Sequence, residues 1–173
     1  MTIARQFRQQ TKLILFLIGL SLPGIGTTTT FVHGQGAPST GKGLGTISTP
    51  SGTTLFIEIA DSPDKRTQGL MFRPSMAPDR GMLFQFPEKG EHTFWMKNTL
   101  ISLDMLWLDE SGTVLHLEAN VPTCPRKDDG CPRYRAPIKS LQVLELNAGM
   151  AKKLNLTTGS KLTIDLPPMS FPY

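Results

Sequence analysis

The chain has 173 residues, with 18 basic and 14 acidic side chains and a formal net charge of +4. The first 34 residues hold three of the basic side chains and no acidic one, so the remainder carries 15 − 14 = +1. A nearly neutral remainder argues against nucleic-acid binding, and we expect no nucleic-acid partner.

The N-terminal segment is typical of a secretory signal peptide. Three basic residues precede an apolar run at residues 13–22, which is shorter than the roughly 20 residues of a membrane-spanning helix. Small residues at Gly26 and Gly34 offer cleavage positions. We therefore expect residues 1–34 to be a signal peptide and the protein to be exported, to the periplasm or the medium. An uncleaved signal would instead anchor the protein in the membrane.

The remaining chain divides by composition into three parts. Residues 35–52 are rich in Thr, Gly, Ser and Pro, which favours a flexible linker because such a stretch buries little apolar surface. Residues 53–166 are long enough for one hydrophobic core and too short for two domains. Residues 167–173, with three prolines, are predicted to form an extended tail.

Hydrophobic patterning predicts a mainly β domain, with α+β character only at its margins. Alternation of apolar and polar residues predicts about seven short strands, at residues 53–59, 82–86, 92–96, 103–108, 113–118, 141–146 and 161–166. Ser62 and Pro63 predict a short helix that ends near Gly69, and Asn147 is a candidate cap for a second. Strands that lie so close in sequence favour a compact antiparallel barrel or a sandwich.

Two cysteines, Cys124 and Cys131, are each followed by a proline. In an exported protein this pair favours a disulfide that closes a short loop. A redox pair would favour the narrower C-x-x-C spacing, and a metal site would have to recruit His92 or His116. We expect a structural disulfide, no bound metal and no cofactor.

Several motifs in this domain resemble the DUF192 family. They are Gly69–Arg73, Gly81–Phe84, Phe94–Thr99, Leu103-Asp104 and Val143–Gly149, together with the two cysteine-proline steps. The resemblance covers about residues 55–165. It implies a small, mainly β, often exported domain of uncharacterised function, and it implies no reaction.

Charged residues inside apolar segments are the candidates for a functional site. Asp104 and Glu145 both lie within strands that are apolar on both faces, where an ionised carboxylate needs partners. Arg73 and Lys97 are the expected partners, and Asn98 can donate through its amide. The cluster is interpreted as a buried ion-pair network, as the wall of a binding cleft or as a catalytic site.

Three functions follow from these interpretations. Trp95 beside Lys97 and Asn98 suits a small polar ligand such as a sugar, because aromatic faces and fixed polar groups recognise such molecules. The first function is therefore an extracytoplasmic ligand-binding or accessory module. The alternatives are a structural envelope module with an internal polar network, or a hydrolase that uses Asp104 or Glu145 with Lys97.

Overall fold

The computed structural model describes residues 44–126 and 128–167. The predicted signal peptide and residues 168–173 of the predicted tail lie outside the described residues. Nine strands and two short helices follow one another along the described chain: β1 (Leu44–Ser48), β2 (Thr54–Ala60), α1 (Pro63–Gln68), β3 (Arg80–Gly90), β4 (Thr93–Trp95), β5 (Leu103–Leu108), β6 (Val114–Val121), β7 (Arg133–Arg135), β8 (Ser140–Asn147), α2 (Met150–Lys153) and β9 (Thr163–Asp165). Of these two helices, neither has the length and hydrophobicity needed to cross a bilayer.

Seven strands form one mixed sheet in the order β6-β5-β8-β3-β2-β1-β9, and β4 pairs with β7 in a second sheet. β2 and β3 run parallel, because α1 carries the chain between them, and their neighbours in the sheet are antiparallel. One isolated bridge, Thr113 to Lys161, links the two edges of the large sheet. The sheet therefore curls without closing into a barrel. The predicted mainly β class is confirmed, in its sandwich-like form.

Each face of the large sheet carries its own hydrophobic core. Leu106 and Leu144 belong to the first core, which packs against α2. Trp107 and Phe84 belong to the second core, which the small sheet covers. The ring of Phe94 in β4 meets the ring of Phe84 edge-on, at a centroid distance of 4.9 Å. Successive residues of β5 thus enter opposite cores, as the alternation predicts.

The first strand lies inside the segment that composition favours as a linker. β1 pairs with both β2 and β9, and Ile47 in its centre is completely buried. The described domain therefore includes residues 44–52, and the prediction of a flexible linker is wrong over that range. One completely buried apolar side chain, that of Ile47, is enough here, because partner strands lie on both sides of β1.

The first helix begins and ends where the sequence predicts. Ser62 Oγ accepts a hydrogen bond from the Lys65 amide at 3.3 Å, and Pro63 occupies the first turn. Gly69 ends the helix with a positive φ of 47°. The segment that follows leads Leu70 into the second core, so α1 stands at the rim of that face.

Candidate functional site

A cleft of about 500 Å³ opens between α1, β3 and the small sheet. Its walls carry five rings, which belong to Phe84, Phe86, His92, Phe94 and Trp95. Its polar groups come mainly from Arg66 and Thr67 on α1 and from Arg133 on β7. Aromatic walls with a few fixed polar groups are the usual composition of a small-ligand site.

The aromatic walls are held by contacts with one another. His92 stacks on Phe86 at a centroid distance of 3.4 Å and an interplanar angle of 8°. Phe94 meets Trp107 edge-on at 6.1 Å. Burial lowers the pKa of His92, so its ring is neutral at pH 7, and its Nε2 has no hydrogen-bond partner among the described residues. These ring-ring contacts fix the walls of the cleft relative to one another.

Two guanidinium groups lie on the aromatic walls. Arg66 Cζ is 5.3 Å from the centroid of the Phe86 ring, and Arg133 Cζ is 4.8 Å from that of Trp95. Arg66 Nη1 also donates to the carbonyl oxygens of Asp61 and Gln85, each at 2.9 Å. The described residues give the guanidinium group of Arg133 neither a hydrogen bond nor an ion pair. Its donors are therefore available to a ligand.

Glu145 lies at the inner end of this region. A smaller chamber of about 40 Å³ reaches it and shares six lining residues with the larger cleft, namely Arg66, Thr67, Met71, Phe84, Phe94 and Trp95. The Glu145 side chain is 4% exposed, and its carboxyl group has no hydrogen-bond partner among the described residues. Burial raises its pKa to about 8. At pH 7 this group is therefore mainly a neutral acid that can donate a hydrogen bond.

The predicted site residue Lys97 lies beside the cleft. Its Nζ is 5.3 Å from the centroid of the Trp95 ring and forms an ion pair with the Asp129 carboxylate. Asp129 belongs to the loop closed by the predicted disulfide, which is present between Cys124 and Cys131 with a Cα–Cα distance of 5.9 Å. The disulfide loop thus holds Lys97 next to Trp95.

Asn98 supports the cleft from outside. Its backbone has a positive φ of 58°, and its carbonyl accepts from the Phe72 amide at 2.8 Å. Its side-chain amide approaches Met71 Sδ at 3.9 Å, and Met71 lines the cleft. Asn98 therefore positions a neighbour of the site and is not among the residues that line the cleft.

Asp104 does not belong to the cleft. It is completely buried and accepts three backbone hydrogen bonds, from Asn120 N at 2.8 Å, Gly149 N at 3.1 Å and Ala151 N at 2.7 Å. Its carboxylate therefore caps the start of α2, the role that the sequence favours for Asn147. Asn147 instead donates its side-chain amide to the carbonyl oxygens of Met76 and Ala77.

Arg73 also lies apart from the cleft. Its guanidinium forms a two-pronged ion pair with Glu58, whose second contact, Nη2 to Oε2, measures 2.8 Å. The hydrogen bonds from Arg73 hold the pKa of the Glu58 carboxyl below its ordinary value. Glu58 and Arg73 line a separate surface depression. The expected cluster of Arg73, Lys97 and Asp104 is therefore wrong, because each finds a different partner.

Sequence reasoning thus identifies part of the cleft. Trp95 lines it, Glu145 lines its smaller inner chamber, and Lys97 adjoins it. It missed Arg133 because it predicted no strand at β7, where Arg133 pairs with Trp95. It missed Arg66 because an arginine in a short helix without buried residues has the pattern of an ordinary surface side chain. In the described ranges, no group of three potential metal ligands occurs.

Comparisons with known proteins fit this description. The model of the family DUF192, described as an uncharacterised ACR, matches residues 46–164. A Sinorhizobium meliloti 1021 protein, described as a candidate transcription regulator, is similar with 38% identity and a TM-score of 0.61, over 70% of this chain and 92% of that one. A protein of unknown function from Novosphingobium aromaticivorans DSM 12444 has 30% identity and a TM-score of 0.61, over 69% and 83%. Among curated proteins none matches.

Proposed function

This chain belongs to the DUF192 family, and we propose that it is an exported domain that binds a small polar ligand with a flat apolar face, such as a sugar. The observation that carries the proposal is Glu145. A carboxyl group without a partner costs folding free energy wherever it is buried. A ligand that accepts its proton in a hydrogen bond would offset that cost, which would explain why the group lies at the end of a cleft.

The dimensions and lining of the cleft support the same proposal. Its volume of about 500 Å³ falls within the range of small-molecule sites, roughly 300–1,000 Å³. Trp95 is half-buried, with one part of its ring in the cleft. Indole rings pack well against the apolar face of a sugar ring.

Export is the second part of the proposal. The basic and apolar order of the first 34 residues supports it. The disulfide between Cys124 and Cys131 supports it as well, because such bonds persist mainly in oxidising compartments. N-terminal sequencing of protein recovered outside the cytoplasm should give a first residue between 27 and 35. An intact Met1 on a cytoplasmic product would contradict export.

The alternative functions receive less support. A purely structural module explains Asp104, whose oxygens are all engaged by backbone amides, but it leaves Glu145 without a role. A hydrolase with paired carboxylates needs Asp104 and Glu145 together. They face opposite sides of the sheet, because Asp104 is paired with Leu146 and Glu145 with Met105. The net charge of +1 outside residues 1–34 also gives no reason to transfer transcription regulation from the Sinorhizobium protein.

The test is a titration with a panel of monosaccharides, including glucose, galactose and N-acetylglucosamine, followed by calorimetry, which does not depend on a tryptophan signal and so also measures binding by a variant without Trp95. We expect at least one sugar to bind, and Trp95→Ala to weaken binding by about tenfold, which corresponds to about 1.4 kcal/mol of stacking.

Leu100→Ala is the matched control, because Leu100 is exposed and does not line the cleft. It should leave the affinity unchanged. Equal weakening by Leu100→Ala and Trp95→Ala would place the binding elsewhere. Absence of binding by every sugar at millimolar concentration would contradict a sugar as the ligand.

A further inference from the structure

We infer that the ligand of this cleft carries an anionic group, a carboxylate or a phosphate, beside its flat apolar face. The inference rests on the proposed function and adds the chemical class of the ligand. It starts from the distribution of ion pairs in the domain. The described residues include six arginines and all 14 acidic residues of the chain.

Four of these arginines have an acidic partner within 4.0 Å, namely Arg73, Arg80, Arg126 and Arg135. The two without an acidic partner among the described residues are Arg66 and Arg133, and both line the cleft. The nearby carboxylate of Asp61 is engaged by Lys65 at 2.7 Å. The two described arginines without an acidic partner thus both lie in the cleft. The described lysines without one, Lys139, Lys152, Lys153 and Lys161, all lie outside it.

The other ionisable groups of the cleft do not cancel this charge. Glu145 is the one acidic residue that lines the described cleft and its inner chamber, and burial keeps it mainly neutral at pH 7. Lys97 is already paired with Asp129. His92 is neutral because burial lowers its pKa. The cleft therefore carries a net charge of about +2 from its two guanidinium groups, in a concave site that concentrates positive potential.

The geometry of the two arginines favours directed hydrogen bonds to an anionic group over charge attraction alone. Each guanidinium lies against an aromatic ring, Arg66 on Phe86 and Arg133 on Trp95. A plane held in this way presents its N–H groups in a fixed fork, which matches the two oxygens of a carboxylate or phosphate. The neutral acid of Glu145 adds a donor at the inner end. A ligand whose ring lies along Trp95 can thus place an anionic group on Arg133.

The test compares ligands that share one ring and differ in charge. D-glucose, D-glucuronate and D-glucose 6-phosphate form one series; benzyl alcohol, benzoate and phenyl phosphate form a second. Titration calorimetry of the full chain at pH 7 is carried out on the natural sequence, Arg133→Gln and Arg135→Gln. Arg135 is the matched control on the same strand, since it is paired with Glu91 at 3.0 Å and does not line the cleft.

We expect an anionic member of at least one series to bind about tenfold or more tightly than its neutral parent, as one charge-assisted two-pronged contact provides. Arg133→Gln should remove most of this preference and Arg135→Gln should keep it. Whether glucuronate and benzoate or the two phosphates bind better distinguishes a carboxylate ligand from a phosphate ligand.

Three outcomes would overturn the inference. If neutral parents bind as tightly as their anions and Trp95→Ala abolishes that binding, the inference fails and the proposed function stands. If Arg135→Gln removes the preference as fully as Arg133→Gln, the anion binds outside the cleft. If no member of either series binds, the inference fails, and a negative monosaccharide panel then removes the proposed function as well.

Discussion

At the scale of one residue, Glu145 shows how a buried position in a candidate binding site differs from a buried position in a hydrophobic core. Its neighbours in the adjacent strands are Met82 and Met105, and a third apolar residue at this position would stabilise the domain. The carboxyl group instead has a folded-state pKa of about 8, against an ordinary value of 4.5. The folded protein therefore holds this proton more tightly than the unfolded chain does. Its stabilising contribution is complete below about pH 4.5 and is lost as the pH rises through about 8.

We predict that Glu145→Gln changes the pH dependence of stability. Glutamine has nearly the same shape and cannot ionise, so the variant should match the natural protein near pH 4.5. Between about pH 4.5 and 8 the natural protein loses about 1.4 kcal/mol per pH unit relative to the variant. At pH 8 the variant should therefore be more stable by about 4 kcal/mol. Urea unfolding at a series of pH values measures the difference.

Glu88→Gln is the control for this series, because Glu88 is an exposed residue of β3. Its profile should follow that of the natural protein at every pH. Parallel profiles for Glu145→Gln and the natural protein would mean that Glu145 is solvated, and the argument for a site at that position would fail.

The sequence predicts that Glu145 and Asp104 are buried, which the structure shows, but it does not predict their surroundings. Alternation of apolar residues shows that both carboxyl groups are buried, but it does not show what satisfies them. The partners of Asp104 are backbone amides, which every residue carries and which therefore leave no mark in the sequence. The partner of Arg73 was also predicted wrongly. That partner is Glu58 in β2, and the strand pattern does not indicate which residue of a neighbouring helix or loop lies against this strand.

At the scale of elements, Asp104 joins three segments. Asp104 is a residue of β5, and its side chain accepts a hydrogen bond from the amide of Asn120 in β6. Its other two hydrogen bonds, from the amides of Gly149 and Ala151, hold the start of α2. A helix of four residues has too few internal hydrogen bonds to be stable alone. Its position against the first core therefore depends on this carboxylate.

We predict that Asp104→Ala destabilises the domain by at least about 3 kcal/mol. The change leaves three backbone amides without a partner, and each unsatisfied buried donor costs about 1–3 kcal/mol. Asp129→Ala is the control, because Asp129 is exposed and its ion pair with Lys97 lies at the surface, where such pairs contribute about 0–1 kcal/mol. Denaturant midpoints measure both variants. If the two midpoints coincide, Asp104 does not fix α2.

The same scale shows which elements a sequence can predict. All seven predicted strands are present, because each contains at least two apolar residues at the spacing of a strand. The two strands that were missed are β1 and β7. β7 has three residues, of which two are arginines. It is extended because β4 pairs with it, and that pairing across 38 residues of chain, from Trp95 to Arg133, has no local signal.

At the scale of the whole molecule, the large sheet depends on its first strand. β1 stands between β2 and β9, and its register covers five residues of β2 and three of β9. Without β1 both neighbours would lose their hydrogen-bonding partner on that side. Ile47 would also leave the first core, where it is completely buried. Residues 44–48 therefore belong to the minimal folding unit.

We predict that two shortened chains behave differently, one starting at residue 35 and the other at residue 53. The first keeps β1 and should unfold cooperatively in calorimetry. The second lacks β1, leaves β9 with one described bridge to the rest of the sheet, at Lys161, and should lose its cooperative transition.

Ile47→Ala in the longer chain is the control, because it measures the packing contribution alone. This contribution is about 2–5 kcal/mol for a large aliphatic residue changed to alanine. A greater loss of stability in the shorter chain therefore reports the strand pairing. A cooperative transition at unchanged temperature in the chain that starts at residue 53 would show that β1 is dispensable. It would return residues 44–52 to the linker that their composition favours.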